Sequence, residues 1–363
     1  MTPPRRIIQL HAGFADGDAI SRESRILHGL FQEFGCESRL YAVGGRISPT
    51  MAELCRPLDE YRNEPGDIVI HHYGVASPAT EAYLAAAGRK ILVYHNITPA
   101  EFFWGFDDDL AGRLAAARAD LKPVAQRSDA IWAVSQFDAD EVTGLGIANV
   151  RVFPLVFSTQ DFDLPPDPRI ARLFAEPMKN ILFVGRIAPN KSIEDLILAF
   201  AWYKRRINRR SRLVIVGSQR TTPRYYAMLR MLAMEMGLQD VFFEGFASPE
   251  GLCTYYGHAD VFVCPSRHEG YCLPLVEAMF KGVPVIARDC GGMPEAMGGA
   301  GVLYDDLQPG ELAELIRRVV DDPPLRAEIL DSQRRRLDAL ARRPVAAELR
   351  SLLAETLPEE FPA

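Results

Sequence analysis

The feature that most constrains the fold of this chain is the regular alternation of short apolar runs with longer segments of helical periodicity. Residues 6–10 form the first apolar run, and residues 17–34 follow it with apolar side chains on one helical face. Strands that alternate with helices in this way form parallel sheets that are covered on both faces. The sequence therefore predicts an α/β protein, with strands at 6–10, 38–43, 67–71, 90–94, 129–134, 150–153, 181–184, 213–216, 241–244, 261–264 and 283–287.

The length of 363 residues exceeds one ordinary domain and suits two domains of about 150–200 residues each. The alternation is interrupted between Asp161 and Pro177, where several prolines disfavour both helix and sheet. We predict two doubly wound, Rossmann-like domains that face each other across a cleft, at 1–165 and 166–345. A C-terminal helix at about 346–363 is expected to pack back on the first domain.

Composition excludes several classes of protein. The chain is 48% hydrophobic and 25% charged, as in globular proteins, and its net charge of -7 argues against a dedicated nucleic-acid-binding protein. Its six cysteines include no C-x-x-C pair, which favours buried free thiols in a reducing compartment. No secretory h-region follows the N-terminus, and no run of 18 apolar residues occurs. We therefore expect a cytoplasmic protein.

The loop after strand 181–184 contains Gly185, Arg186 and Lys191. In open α/β sheets, ligands bind beyond the carboxyl ends of the strands, so this loop is expected to lie in a binding site. A glycine permits close approach of a phosphate, and two cations followed by a helix N-terminus suit a diphosphate. The spacing is not that of a Walker A loop. The alternative is a pair of solvated surface charges.

The loop after strand 261–264 leads into a helix that Pro274 would begin. The backbone N–H groups of residues 271–273 are expected to be available to a phosphate. Glu269 precedes this helix and Glu277 lies about one turn inside it, so both carboxylates can accept hydrogen bonds from hydroxyl groups of one ligand. The alternative is a helix-capping glutamate together with a surface charge.

The first half of the chain offers fewer candidate residues. His95 and Asn96 follow strand 90–94, where His95 is expected to donate a hydrogen bond to a donor-sugar hydroxyl or to help place the acceptor; the alternative is a structural histidine that caps the strand end. Gly17 and Asp18 are candidates for the border of a phosphate or acceptor site, although the loop lacks G-x-G-x-x-G. No His, Asp or Glu trio has the sequence spacing of a metal site, so we expect no metal and no cofactor beyond a nucleotide-sugar co-substrate.

With these motifs, the chain resembles the retaining family 4 glycosyltransferases of the GT-B fold. The likeness covers the whole length and is strongest over about 180–304. The E-x7-E signature of that family stands at 269–277, and its phosphate loop stands at Gly185, Arg186 and Lys191. Further motifs of the family fall at 216–218, 244–246 and 282–287.

The resemblance implies roles for individual residues. Arg186 and Lys191 would neutralise the leaving diphosphate, and Glu269 would hold hydroxyls of the donor sugar. Glu277 would bind the ribose, and His95 would touch the donor sugar or the acceptor. The catalytic set is then Glu269, His95, Arg186 and Lys191. The donor-binding set is Gly185, Arg186, Lys191, Gly217, Phe246, Glu269, Gly270, Tyr271, Cys272, Leu273 and Glu277, with the backbone near Phe246 at the nucleobase.

The sequence 95–99 is similar to that of bacterial polysaccharide mannosyltransferases, which favours GDP-mannose over a UDP-sugar. The expected activity is retaining hexosyl transfer to a glycan or lipid-linked acceptor. The alternatives are a UDP-sugar-dependent transferase of the same fold and an inactive nucleotide-sugar-binding protein. The aromatics at 102–104 and the basic run at 204–212 suggest peripheral contact with the inner membrane face; the alternatives are core packing and a solvated helix end.

Overall fold

The computed structural model describes residues 5–158 and 162–361, which form two compact units. Unit 1 comprises the described residues of 5–100, 109–156 and 344–361, and unit 2 comprises those of 101–108 and 157–343. Residue 161, where the predicted interruption begins, and residues 362–363 of the predicted C-terminal helix lie outside the described residues.

Unit 1 contains a seven-stranded, wholly parallel sheet in the order β3-β2-β1-β4-β5-β6-β7. Its strands are β1 (Arg6–His11), β2 (Glu37–Ala42), β3 (Cys55–Pro57), β4 (Asp67–Tyr73), β5 (Arg89–Tyr94), β6 (Ala130–Ala133) and β7 (Val150–Val152). Its helices are α1 (Ala19–Glu33), α2 (Pro78–Leu84), α3 (Asp108–Gln126), α4 (Gln136–Gly144) and α13 (Val345–Thr356). The strand order reverses between β1 and β4, so the loops that follow these two strands diverge at that point.

Unit 2 contains a six-stranded parallel sheet in the order β10-β9-β8-β11-β12-β13. Its strands are β8 (Lys179–Val184), β9 (Ser211–Val216), β10 (Val241–Gly245), β11 (Val261–Cys264), β12 (Val285–Arg288) and β13 (Val302–Tyr304). Its helices are α5 (Pro168–Ala171), α6 (Ile193–Arg206), α7 (Pro223–Glu235), α8 (Pro249–Gly257), α9 (Leu273–Phe280), α10 (Met293–Met297), α11 (Pro309–Asp321) and α12 (Pro323–Ala341). The order reverses between β8 and β11.

Burial explains why these strands read as continuous apolar runs. Ile181 and Phe183 of β8 are buried in one cluster with Phe200 of α6, and every residue of β9 is buried. A strand covered on both faces needs apolar residues at successive positions, and each fully buried large aliphatic or aromatic side chain contributes about 1.5–3 kcal/mol.

The predicted fold class is confirmed, since both units are parallel sheets flanked by helices. Two short strands were not predicted, β3 and β13, each of three residues. An edge strand of three residues gives only a weak pattern; β7, which has the same length, was predicted at 150–153, whereas β3 contains an arginine and a proline and β13 lies next to a glycine-rich turn.

The unit boundaries differ from the predicted ones in three places. Residues 344–345, predicted in the second domain, belong to unit 1. The described residues of 157–165, predicted in the first domain, belong to unit 2, where Lys281 Nζ donates to Phe162 O at 3.1 Å. Residues 101–108 also belong to unit 2. The ring of Phe106 packs edge-on against Tyr225 at 5.3 Å, and Arg224 donates to Gly105 O at 3.2 Å. These aromatic and backbone contacts are long-range and have no local sequence pattern.

The C-terminal segment contributes α13 to unit 1. Arg350 lies over the ring of Phe34 at 4.3 Å, and Arg89 donates to Glu360 at 2.9 Å. Among the helices of the described residues, none is both long enough and apolar enough to cross a bilayer.

Gly88 lies just before β5 and is predicted to be required for folding of unit 1. A Cβ there would lie 1.9 Å from the backbone oxygen of Asp67 in β4. Gly88→Ala should therefore destabilise the protein by about 2–3 kcal/mol in urea denaturation. The matched control is Gly112→Ala in α3, where a Cβ meets nothing within 4 Å. This change should stabilise by about 0.5–1 kcal/mol, and equal effects of the two substitutions would contradict the prediction.

Candidate functional site

The loops after β8 and β11 meet in unit 2 at the point where the strand order reverses. Asn190 joins them, since its Nδ2 donates to His268 O at 3.1 Å and its own carbonyl accepts from Arg267 N at 2.9 Å. The side chain of Asn190 is buried, as expected for a group that satisfies backbone polar atoms of a neighbouring loop. The two predicted donor loops are therefore one connected structure.

Backbone hydrogen bonds continue the sheet beyond the ends of its strands. Gly185 N donates to Val216 O at 3.0 Å, and Gly217 N donates to Gly245 O at 2.7 Å. A Cβ at Gly217 would lie 1.8 Å from the carbonyl oxygen of Gly185, so only glycine fits at this contact. The close approach of these two loops fixes the start of the segment that carries Arg186.

Lys191 and Glu269 form a salt bridge across the two loops. Their side chains are only 15% and 10% exposed, and Ser266 Oγ donates a further hydrogen bond to Glu269 Oε1 at 2.9 Å. Burial lowers the pKa of Lys191, but the attraction of Glu269 and of the nearby Cys272 outweighs it, so the pKa is raised above its usual value. Lys191 is therefore charged at neutral pH.

Arg186 differs from Lys191 in its environment. Its side chain is exposed, and it makes no hydrogen bond or ion pair with the residues that the structure describes. It lies five positions before Lys191 in the same loop and is available to an anion without the loss of an existing partner. Of the two predicted cations, Lys191 is therefore paired with a carboxylate, whereas Arg186 has no partner among the described residues.

The backbone around residues 269–273 has an unusual conformation. Cys272 precedes α9 with φ of 73°, a left-handed conformation that is costly for residues other than glycine. The carbonyl oxygen of Glu269 accepts from Gly292 N at 2.9 Å, and a Cβ at Gly291 would lie 2.2 Å from that oxygen. Gly270 is partly exposed, whereas Tyr271 and Leu273 are buried, and burial raises the pKa of Tyr271.

Glu277 and Phe246 have opposite degrees of exposure. Glu277, in α9, is 4% exposed and accepts a hydrogen bond from Tyr256 Oη at 2.9 Å. Phe246, after β10, is 61% exposed and lines an open pocket of about 390 Å³ together with Glu244 and Tyr255. An exposed aromatic ring beside a pocket is suited to stacking on a flat apolar ligand.

The side chains of Asp18 and Asn96, two of the residues predicted for a site in unit 1, form hydrogen bonds with neighbouring residues of that unit. Asp18 caps α1 by accepting hydrogen bonds from Ser21 N at 2.9 Å and Ser21 Oγ at 2.8 Å, and Gly17 before it has φ of 72°. Asn96 is buried with φ of 64°, and its Nδ2 donates to Asp138 Oδ1 at 2.7 Å. Asp18 therefore has a structural partner, as does Asn96.

His95 lies in a buried group of histidines at the ends of β1, β4 and β5. Its Nε2 is 2.8 Å from His72 Nδ1 and 3.8 Å from a carboxylate oxygen of Glu23 in α1. Burial, and next the neighbouring His71, lower the pKa of His95 to about 3. Burial also lowers the pKa of His71 to about 4 and that of His72 well below its usual value. The group is therefore uncharged at neutral pH.

Sequence reasoning missed several partners of the predicted residues. Ser266 orients Glu269 and Asn190 joins the two loops, but neither stands out by residue type. Glu23 could have been found, because it lies four positions before the buried Leu27 on the same face of α1. An acidic residue on a buried helical face indicates a polar partner. His72 is the direct partner of His95, and nothing in its residue type or position in the sequence singles it out from His71.

In the part of the chain that the structure describes, two groups of side chains have ligand atoms within 4.8 Å of one another, close enough for a metal ion, although their sequence spacing indicated none. One is Glu23, His72 and His95; the other is Cys264, Cys272 and Glu269. In the first, a hydrogen bond joins the two histidines, and in the second, Lys191 pairs with the carboxylate. These contacts account for the two histidines of the first group and for the carboxylate of the second.

Comparison with known proteins agrees with this architecture. Residues 169–336 match the model of the family described as "Glycosyl transferases group 1". The predicted resemblance to the family 4 glycosyltransferases of the GT-B fold is therefore confirmed as a resemblance.

Three relatives illustrate the range of similar sequences. The serotype-specific mannosyltransferase WbdA of Escherichia coli is 27% identical over 213 residues, which cover 56% of this chain and 26% of WbdA. The D-inositol 3-phosphate glycosyltransferase of Acidothermus cellulolyticus is 32% identical, with coverage of 75% and 63%. A GDP-mannose-dependent alpha-(1-6)-phosphatidylinositol monomannoside mannosyltransferase of Mycobacterium tuberculosis is 28% identical, with coverage of 70% and 68%. The chain thus spans about a quarter of WbdA and less than two thirds of the inositol enzyme.

Solved structures share the fold over the whole chain. Sucrose-phosphate synthase from Thermosynechococcus elongatus has a TM-score of 0.74 at 20% identity and covers 98% of this chain and 100% of its own. Anabaena HepE, solved in complex with UDP-glucose, has a TM-score of 0.73 at 20% identity, with coverage of 98% and 99%.

The pair of Lys191 and Glu269 is predicted to behave as one energetic unit. Lys191→Met leaves a buried carboxylate without its cation and should cost about 3–5 kcal/mol, because the desolvation of Glu269 is no longer offset. The double variant Lys191→Met/Glu269→Gln should recover about 1–3 kcal/mol of that loss in urea denaturation. Strictly additive effects would contradict the pairing.

The same pair has a predicted pH dependence. Because the pKa of Lys191 is raised in the folded state, its stabilisation is complete below the usual value of 10.5 and is lost as pH rises through the folded-state value. The stability advantage of the wild type over the double variant should therefore be constant from pH 7 to 9 and shrink above about pH 10.5. An advantage that persists at higher pH would contradict this assignment.

Proposed function

We propose that this protein is a retaining glycosyltransferase that moves a hexose, with mannose favoured, from a nucleotide diphosphate sugar to a glycan or lipid-linked acceptor. The observation that carries the proposal is the arrangement at the switch point of unit 2. An exposed Arg186, with no partner among the residues that the structure describes, lies in the same loop as Lys191, whose ammonium group is already held by Glu269.

This arrangement suits the departure of a nucleoside diphosphate. Negative charge develops on the leaving phosphate oxygens, and preorganised cations stabilise that charge more than they stabilise the ground state. Arg186 would bind the diphosphate first, and Lys191 would supply a second cation whose position Glu269 fixes. Because these side chains supply positive charge, the proposed reaction needs no metal ion.

Glu269 would hold hydroxyl groups of the donor sugar and Glu277 those of the ribose. A carboxylate accepts hydrogen bonds from hydroxyls but repels phosphate oxygens, so the acidic groups suit the sugar portions of the donor. Phe246 would meet the nucleobase beside its pocket. The attacking hydroxyl would enter on the face that the diphosphate leaves and give up its proton to the departing phosphate, which retains the anomeric configuration.

The relatives support mannose and a guanine nucleotide over other donors. WbdA is named a mannosyltransferase, and the mycobacterial relative is named as GDP-mannose-dependent. We therefore favour GDP-mannose and a role in cell-surface polysaccharide synthesis. A UDP-sugar is the second candidate, because HepE was solved with UDP-glucose. An inactive nucleotide-sugar-binding protein is the remaining alternative.

Donor binding and transfer can be separated with matched variants. Arg186→Ala should weaken GDP binding about tenfold in calorimetry without a change in stability, because this side chain has no partner among the described residues. The control is Arg317→Ala, an exposed residue of α11 that pairs with Glu314. Unchanged GDP and UDP affinities in Arg186→Ala would contradict the diphosphate site.

Activity is tested by donor hydrolysis and transfer across GDP-sugars and UDP-sugars. Glu269→Ala and Lys191→Ala should each abolish turnover with the preferred donor, and excess EDTA should leave the wild-type rate unchanged. Nuclear magnetic resonance of the product should show retained anomeric configuration. Full activity of both variants would exclude the proposed donor site, and inversion would exclude the mechanism.

A peripheral position on the inner membrane face is part of the proposal and depends on the basic run and the aromatics. Trp104 is 52% exposed, but Phe103 is buried, so only part of the aromatic segment can meet lipid. Within the basic run, Arg212 is buried and donates to Glu176 O at 2.8 Å, and Lys204 donates to Ser211 O at 2.8 Å. These two cations are already engaged within unit 2.

We expect co-sedimentation with vesicles containing anionic lipid at low salt and reduced binding at physiological salt, since salt screens exposed charges and two of the six basic side chains are already engaged. Trp104→Ala should reduce the bound fraction, and Trp202→Ala, at an exposed position of α6, is the control. Failure to co-sediment at either salt concentration would remove the membrane from the proposal.

A further inference from the structure

A buried polar group leads to the imidazole of His95 through His72, and the hydrogen bonds of this group determine which ring nitrogen of His95 carries the proton. The group consists of Gln9 in β1, Glu23 and Ser24 in α1, and His72 in β4, and each is at most 3% exposed. Each member lies in unit 1. A neutral imidazole has one donor and one acceptor nitrogen, so the directions of these bonds fix the tautomer.

The orientation of Gln9 comes first in this chain of bonds. Its Nε2 donates to the carbonyl oxygen of Ser24 at 3.3 Å, which turns its Oε1 toward His72 Nε2 at 2.9 Å. The opposite orientation would place two carbonyl oxygens against each other. Gln9 therefore offers an acceptor, and His72 Nε2 must carry the hydrogen.

Ser24 leads independently to the same conclusion. Its hydroxyl donates to Ile20 O at 2.8 Å, so toward His72 Nε2, at 3.3 Å, its oxygen can only accept. Two acceptors thus face one ring nitrogen of His72. Since burial keeps the pKa of His72 well below its usual value, the ring is neutral and its Nδ1 is an acceptor.

The consequence for His95 follows directly. Its Nε2 lies 2.8 Å from the acceptor Nδ1 of His72 and 3.8 Å from a carboxylate oxygen of Glu23. The acceptor at 2.8 Å requires a hydrogen on that nitrogen, and the nearby carboxyl group of Glu23, which is beyond hydrogen-bond distance, is compatible with it. The other ring nitrogen, Nδ1, then bears a lone pair; it makes no hydrogen bond to the described residues and is not among their fully buried unpartnered atoms.

We propose that Gln9, Ser24, His72 and Glu23 are positioning residues that hold His95 as its Nε2–H tautomer, so that Nδ1 accepts a hydrogen bond from a sugar hydroxyl. The inference rests on the proposed function and specifies it. A neutral acceptor nitrogen suits a hydroxyl and disfavours phosphate oxygens, which lack a hydrogen at neutral pH. Nδ1 of His95 therefore accepts a hydrogen bond from the hydroxyl group. This arrangement excludes the donation of a hydrogen bond from His95 to the sugar.

The tautomer is tested without any assay of activity. In protein labelled with nitrogen-15 in histidine, long-range proton–nitrogen correlation spectra distinguish Nε2–H from Nδ1–H rings, and His72→Asn and His95→Asn assign the signals. We expect His72 and His95 each with a protonated Nε2 and a bare Nδ1. A proton on Nδ1 of His95 would overturn the proposal even if the protein proves to be an active transferase.

The positioning role is tested with a matched pair at residue 72. Asparagine keeps a polar atom near the position of Nδ1, whereas leucine removes it. His72→Leu should lower kcat by about tenfold to a hundredfold, the range for partners that orient a histidine ring, with the affinity for GDP unchanged. His72→Asn should recover part of the rate. Equal rates in the wild type and His72→Leu would overturn the proposal.

Two further arms identify the source of the hydroxyl and test the metal alternative. A fall in donor hydrolysis without acceptor assigns the hydroxyl to the donor sugar, and a fall in transfer alone assigns it to the acceptor; both outcomes support the proposal. Stoichiometric zinc in the purified protein that is lost in His72→Leu would overturn it, because Glu23, His72 and His95 would then be ligands. If the wild type neither binds nucleotide nor turns over donor, the proposed function fails while the tautomer result stands.

Discussion

The parallel arrangement of each sheet is the constraint on which the rest of this structure depends. Parallel strands end at a common edge, and where their order reverses, two successive loops turn in opposite directions and leave room for a ligand. In unit 2, this point lies between β8 and β11, and it brings the loops of Lys191 and Glu269 together. In unit 1, it lies between β1 and β4, whose carboxyl ends carry His11 and His72.

Buried charge at such a point must be compensated by the protein itself. Glu269 is 9% exposed and obtains its compensation from Lys191 and Ser266, which lie on different loops. The loops in turn depend on backbone contacts that allow no side chain, as at Gly217 and Gly291. The geometry of the polar site thus depends on these glycines as much as on the charged groups.

The sequence was sufficient to predict the fold class and the residues at the strand ends, because both follow from local patterns. It did not predict that Lys191 and Glu269 pair, since they are 78 positions apart and the contact depends on strand order. The short strands β3 and β13 were missed because a segment of three residues gives only a weak hydrophobic pattern. The inclusion of residues 101–108 in unit 2 depends on long-range packing of Phe106.

His72 illustrates a different limit of sequence reasoning. The sequence His71-His72 indicates that the two side chains point to opposite faces of the sheet, and alternation alone does not tell which one meets His95. In the structure, His71 bonds to Leu10 O and Thr80 Oγ, at 3.2 and 3.0 Å, whereas His72 bonds to His95 and Gln9. The acceptors that face His72 belong to Gln9 in β1 and Ser24 in α1. The sequence of β4 alone therefore does not tell which histidine meets His95.

The two units differ in the chemistry that they offer to a ligand. Unit 2 presents at Arg186 a guanidinium that has no partner within residues 5–158 and 162–361, beside the charged pair of Lys191 and Glu269, which suits a group that bears negative charge. Unit 1 presents a neutral imidazole at His95, because burial makes protonation of its ring costly at physiological pH. A charged histidine would attract phosphate oxygens and lose its selectivity for hydroxyls. Under the proposed function, the neutral state of His95 would therefore separate recognition of the sugar from recognition of the diphosphate.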